Sequence, residues 1–198
     1  MKKVILAALV AVASLSANAQ VYLGGTLGIN AGKVNKNAEN VIKFQIAPEI
    51  GYNINEKWAV GLGIGFTTQN GDFTGDNQNY FETFQMPTSG KYTKSVSVFT
   101  IAPYARWTFA KTGIASFFVD GGIDVNFWNN SRGNSFFIGL TPGVKLSASE
   151  KVDFVAEIAA LGFAWGSEKA YNAGVAPKSA FGFNVNNTAV KFGVYYNF

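Results

Sequence analysis

From Val190 to Phe198 every second position is apolar: Val190, Phe192, Val194, Tyr196 and Phe198 alternate with Lys191, Gly193, Tyr195 and Asn197. Period two marks a β-strand with one greasy face and one wet face. Seven earlier segments repeat the pattern. They run over about 20–30 (Val21, Leu23, Leu27, Ile29), 41–53 (Ile42, Phe44, Ile46, Pro48, Ile50, Tyr52) and 58–68 (Trp58, Val60, Leu62, Ile64, Phe66). Next come 95–109 (Phe99, Ile101, Pro103, Ala105, Trp107, Phe109), 115–127 (Phe117, Val119, Ile123, Val125, Phe127) and 136–147 (Phe136, Ile138, Leu140, Pro142, Val144, Leu146). The segment 152–165 begins with Val152, Phe154, Ala156 and Ile158 and then loses clean phase. Each segment reaches the 9–11 residues that a tilted strand needs to cross hydrocarbon.

The connections alternate in length. Asn55-Glu56-Lys57, Lys111-Thr112-Gly113 and Ser149-Glu150-Lys151 read as tight turns, whereas 31–40, 69–93, 129–135 and 166–183 are longer and rich in Asn, Gly, Ser and Asp. The pattern predicts an all-β fold: an eight-stranded antiparallel transmembrane β-barrel with short periplasmic turns and longer extracellular loops. Both termini then fall on the periplasmic side. An echo links Phe44-x-Ile46-Ala47-Pro48, Phe99-x-Ile101-Ala102-Pro103 and Ile138-x-Leu140-Thr141-Pro142. Proline cannot donate to a ladder, so bulges or kinks are expected at these three places.

Composition sharpens the picture. Aromatic residues make up 15% of the chain and charged residues only 14%, against about 25% charged in ordinary domains. Met1-Lys2-Lys3, the apolar run Val4 to Val12 and Ala17-Asn18-Ala19 before Gln20 read as a secretory signal peptide over residues 1–19, cut after Ala19. The barrel domain is then 20–198, with 14 basic against 12 acidic residues once Lys2 and Lys3 are gone. So slight an excess gives no reason to expect nucleic acid as a partner. With no cysteine, neither disulfides nor a lipidated cysteine are available.

The charges fall on the face opposite the apolar one. Lys43, Glu49, Arg106, Asp120, Asp124, Lys145, Glu157 and Lys191 comprise four basic and four acidic residues. An eight-stranded barrel has room inside only for side chains, and buried charges must pair. A balanced ionic network along the axis is expected, plugging the lumen, with interior glycines such as Gly61, Gly63 and Gly65 making room for long charged side chains. Aromatic belts are expected at both interfaces: Tyr52, Trp58, Trp107, Phe117, Phe154, Tyr196 and Phe198 at the turn side, and Phe44, Phe66, Phe99, Phe127, Trp128, Phe136, Phe163 and Trp165 at the loop side.

The Ala-x-Ala signal, the eight alternating strands and the terminal Val190-x-Phe192-x-Val194-x-Tyr196-x-Phe198 resemble the small OmpA/OmpX-type outer-membrane barrels over nearly all of 20–198. The resemblance implies an integral outer-membrane location reached through the periplasm, with outer-membrane lipids around the wall. It also implies that Val190, Phe192, Val194, Tyr196 and Phe198 form the signal read by the outer-membrane assembly machinery. Enzymes built on such barrels use a histidine to activate a serine or water or to act with acidic partners, and this chain has no histidine.

Other signals have plain explanations. Gly61-x-Gly63-x-Gly65 lies in a strand without a following helix, and Phe66 stands where a nucleotide loop needs glycine. Asp72, Asp76 and Asn77 lack calcium-loop spacing. Asn129-Asn130-Ser131 and Asn186-Asn187-Thr188 match glycosylation sequons that arise by chance. No catalytic, cofactor or metal residues are expected. A soluble lipocalin-like barrel would need the faces reversed. The function expected is structural or surface-interacting, with loops 69–93 and 166–183 meeting an extracellular protein or surface partner. The alternatives are a narrow channel for small solutes or ions and, more remotely, an acid-pair enzyme using Asp120 and Asp124.

Overall fold

The computed structural model describes residues 20–32, 41–70, 96–157, 160–184 and 191–198. The strands are β1 (Val21–Gly32), β2 (Val41–Asn53), β3 (Trp58–Asn70), β4 (Val96–Thr112), β5 (Ala115–Trp128), β6 (Asn134–Ser147), β7 (Val152–Glu157), β8 (Ala160–Gly166), β9 (Ser179–Asn184) and β10 (Lys191–Asn197). One short helix, α1 (Glu168–Asn172), lies between β8 and β9. β7 and β8 are two halves of one wall strand, as are β9 and β10, so eight strands cross the wall. Each pairs antiparallel with its neighbour, and β1 pairs β10 to close the ring. The proposed cleavage residues Ala17 and Ala19, most of loops 31–40 and 69–93, the sequon at Asn186 and Val190 lie outside the described residues.

The outward face is apolar. Leu23, Ile46, Ile64, Ile101, Ile123, Ile138 and Val194 are exposed, whereas Thr67, Thr100, Arg106, Phe118, Asp124 and Tyr195 are buried inside. That polarity is the reverse of a lipocalin. Rings touch along each belt: Trp58, Trp107, Phe109 and Phe117 form a chain at the turn side, with successive centroids 6.4, 5.8 and 6.5 Å apart. At the loop side Phe99 meets Phe127 at 6.4 Å, and Trp165 contacts Phe136 at 5.3 Å and Phe163 at 5.5 Å. Trp128, expected in this belt, instead points inward and is buried. Val21 is also buried although Leu23 and Leu27 share its parity; it sits at the strand end, where its carbonyl accepts from the Phe198 N–H at 3.1 Å.

Local chemistry sets the turns. The Asn55 side chain accepts from the Lys57 and Trp58 N–H groups, both at 2.9 Å, and Ser149 Oγ accepts from Lys151 and Val152 at 3.3 and 3.1 Å. The turn expected at Lys111-Thr112-Gly113 shifts by a residue: β4 runs through Thr112. Gly113, with φ 53°, supplies the positive φ that a two-residue hairpin demands at its first central position.

The prolines behave differently from the expectation of bulges. Pairing passes from Ile46–Phe66 to Glu49–Gly63 around Pro48, and from Ile101–Val125 to Tyr104–Gly122 around Pro103, without a register shift. The ladder pauses on one side only, as a residue without an N–H dictates. Beside Pro142 the bulge is in the partner strand. Leu140 faces Leu161 but Gly143 faces Glu157, so two residues of β6 oppose three between β7 and β8. That extra residue flips the inward parity, from Asp153 and Val155 in β7 to Gly162 and Ala164 in β8. It accounts for the lost phase in the seventh strand. A further bulge lies between Thr108 and Ala110, away from any proline.

Candidate functional site

The interior is the candidate site, and its centre is Arg106 on β4. Arg106 stands directly opposite Asp120 on β5. Its Nε and Nη2 each donate to one Asp120 carboxylate oxygen at 2.7 Å, a bidentate fork. Nη2 lies 3.9 Å from Glu49 on β2 and donates to the Tyr195 hydroxyl on β10 at 3.2 Å. Tyr195 donates in turn to the Glu49 carboxylate, with oxygens at 2.8 and 2.9 Å. Tyr104 also donates to Glu49. Its proton is thereby committed, so Tyr22, 2.5 Å away, donates to Tyr104. The guanidinium carbon lies 3.9 Å from the centroid of the Phe118 ring, a stacked arrangement open to arginine but not to lysine. Residues from β1, β2, β4, β5 and β10 are thus bolted together across the axis.

The tyrosines and Phe118 fit because each ring lies over a glycine on the neighbouring strand. Tyr22 pairs with Gly51, Tyr104 with Gly61, Tyr195 with Gly24 and Phe118 with Gly143. A Cβ on these glycines would come within 2.0 to 2.3 Å of the ring. These four glycines make room for aromatic rings, whereas Gly63 stands opposite the charged Glu49, as the sequence reading expects.

The other expected charges lie in different places. Asp124 and Glu157 line a chamber of about 50 Å³ with Glu49 and Asp120, a space on the scale of a water molecule and too small for a solute. Lys145 sits apart at the turn end, 3.2 Å from Asp153. Lys191 lies opposite Glu157 in register, and Lys43 opposite Asn30 and Gln69; the side chains of these two lysines lie outside the described ones. Asp153 is a buried hub that the sequence reading passes over. It accepts from Ser147 at 2.6 Å and Asn197 at 2.9 Å as well as from Lys145. Its signal was available, since Asp153 shares the inward parity of Glu157. Among the described residues no group of three or more His, Cys, Asp or Glu is placed to hold a metal.

The loop end, among the described residues, is packed by a different chemistry. Val96, Val98 and Trp128 from the inner wall pack against Ala170, Val175 and Ala176 from the segment between β8 and β9. Trp128 satisfies its indole N–H on Ser135 Oγ at 2.9 Å. Ser167 caps α1, accepting from the Ala170 N–H at 3.3 Å and from the Asn134 N–H at 3.1 Å. The helix closes as a Schellman motif: Gly174 at φ 69° donates to Tyr171 at 2.9 Å, and Val175 donates to Ala170 at 3.0 Å. The stretch 166–183, expected as one of the longer loops, holds a helix and an inward-packed turn followed by β9. Below Arg106, towards the turns, an open vestibule of about 400 Å³ remains.

Comparison with known proteins adds the following. In fold the chain is similar to Neisserial surface protein A, at 12% identity and a TM-score of 0.48 over 91% of this chain and 98% of that one. It is similar to outer-membrane expressed OmpT of Vibrio cholerae, at 13% identity and a TM-score of 0.33 over 90% of this chain and 51% of that one. The in-vitro folded trimer form of the same OmpT matches at 13% identity and a TM-score of 0.32, over 90% and 54%. The chain spans about half the length of the OmpT chains it matches. No curated protein matches the sequence. The family model of the outer membrane protein beta-barrel domain matches residues 4–198. Matched from its fourth residue to its last, the chain belongs to the outer membrane protein beta-barrel domain family.

Proposed function

We propose that this outer-membrane barrel is a non-enzymatic structural and surface-interaction protein, a rigid anchor that holds its loops at the cell surface. One observation carries the reading: the Arg106–Asp120–Glu49 network, braced by Tyr22, Tyr104 and Tyr195, spans the lumen below the apolar seal. Such filling suits an anchor better than a conduit. Catalysis has little to work with, because Asp120 is committed to Arg106 and the chain lacks histidine. The partner-facing surface is then residues 71–95, which lie outside the described ones, with the exposed side of α1 at Glu168, Lys169 and Tyr171. In the same reading residues 1–19 are removed during export, and the alternating terminus ending at Phe198 addresses the chain to the assembly machinery.

The test is to replace 71–95 with a short Gly-Ser linker and Glu168, Lys169 and Tyr171 with serine. A heat-modifiable gel shift shows whether the barrel still folds. The expected result is a folded barrel with loss of cell adhesion or of resistance to envelope stress. A folded variant that keeps every such phenotype of the parent overturns the reading.

A further inference from the structure

The vestibule beneath Arg106 takes no part in the proposed anchoring. It occupies about 400 Å³ and opens at the turn end, which in this family faces the periplasm. Its walls carry four cations (Lys57, Arg106, Lys111 and Lys145) against two carboxylates, Glu56 and Asp153. Asp153 is already satisfied by Lys145, Ser147 and Asn197, and Arg106 by Asp120. Lys57 and Lys111 have no ion-pair partner among the described residues. They approach from neighbouring hairpins, Lys57 from the β2–β3 turn and Lys111 from the end of β4, where the Thr108 N–H donates to the Lys57 carbonyl at 2.8 Å. The volume falls within the range of about 300–1,000 Å³ found for small-molecule sites. With the Lys145–Asp153 and Arg106–Asp120 pairs set aside, Lys57 and Lys111 stand against Glu56 alone, and an excess of one sign of charge between low-dielectric walls concentrates counter-ions.

We propose that this vestibule binds a small organic anion, carboxylate or phosphate, from the periplasm. Lys57 and Lys111 attract and hold the anionic group. Asn53, Ser116 and Asn197 supply neutral polar groups around it, and Tyr22, Ala59 and the Tyr195 ring form apolar wall. The network at Arg106 is the floor, so the anion is held there and does not pass through.

The experiment titrates the full barrel, refolded in zwitterionic detergent, with citrate and separately with pyrophosphate by calorimetry, using glucose as the neutral control. Saturable binding of either anion is expected, with citrate alone indicating carboxylate and pyrophosphate alone indicating phosphate. The exposed variants Lys57→Gln and Lys111→Gln should each weaken binding about twofold to fivefold, the range of a solvent-exposed ion pair. Arg132→Gln, in the β5–β6 loop at the opposite end, should change nothing. In the unaltered protein, NMR shift changes on titration should centre on Asn53, Ala59 and Tyr195. No saturable binding up to millimolar anion, affinities unchanged in both lysine variants, or shift changes confined to other residues would overturn the proposal.

Discussion

At the scale of residues, Arg106 decides the interior. A buried charge pair broken at one partner typically costs about 3–5 kcal/mol, because the other charge is left uncompensated. Arg106→Met strands Asp120 and Glu49 together and removes the donor to Tyr195. Urea unfolding in lipid should show a loss of about that size, with Arg106→Lys intermediate because it keeps charge but not the fork. Stability equal to the parent in Arg106→Met would mean that the network contributes nothing. The charges themselves were legible, since Glu49, Arg106 and Asp120 fall on the wet parity of their strands. The tyrosines were not. A tyrosine on an alternating strand serves equally at a lipid interface or inside a barrel. What settles Tyr22, Tyr104 and Tyr195 is that each lies across from a glycine, Gly51, Gly61 and Gly24. That is a fact of register between strands, which one sequence does not spell out.

At the scale of elements, departures from the simple alternation occur where the strand period breaks. The terminal alternation, read over Val190–Phe198, is found as strand over Lys191–Asn197, but most of its upper half, Ser179–Asn184, falls in the stretch 166–183 that was read as loop. Phe181 and Phe183 around Gly182 do carry the two-residue pattern, but only over a few residues, and the stretch before Lys191 interrupts it. The turn between β8 and β9 was misread for a related reason: Ala170, Val175 and Ala176 are apolar without strand period, and only tertiary packing on Val96, Val98 and Trp128 gives them a role. Burying an unpaired carboxylate there is strongly unfavourable. Val175→Asp should therefore release the segment 167–178, seen as rapid proteolytic cutting within it, while the heat-modifiable shift of the barrel persists. A segment that resists protease as well as the parent does would show that the apolar seal does not hold it down.

At the scale of the whole molecule, two layers of different chemistry fill the inside while the outside meets lipid. The apolar seal at the loop end excludes water without charge, and the ionic and tyrosine layer below it is satisfied within itself. Outer-face residues such as Leu62, Ile64 and Ile101 are left to lipid, which supplies the apolar partner that water would not. This inside-out polarity was the most legible property of the chain, because alternation over eight strands with so few charges admits little else. Whether the lumen conducts depends instead on how the inward side chains meet, and that is the central claim. Single-channel recording across planar lipid with the refolded barrel tests it most directly. A folded protein should give no steady conductance, and removing residues 168–176 alone should not create one while Arg106 still bridges Asp120 and Glu49. Steady openings from the unaltered protein, with a current that changes in Glu49→Gln or Arg106→Gln, would show that these charges line a path and contradict the account.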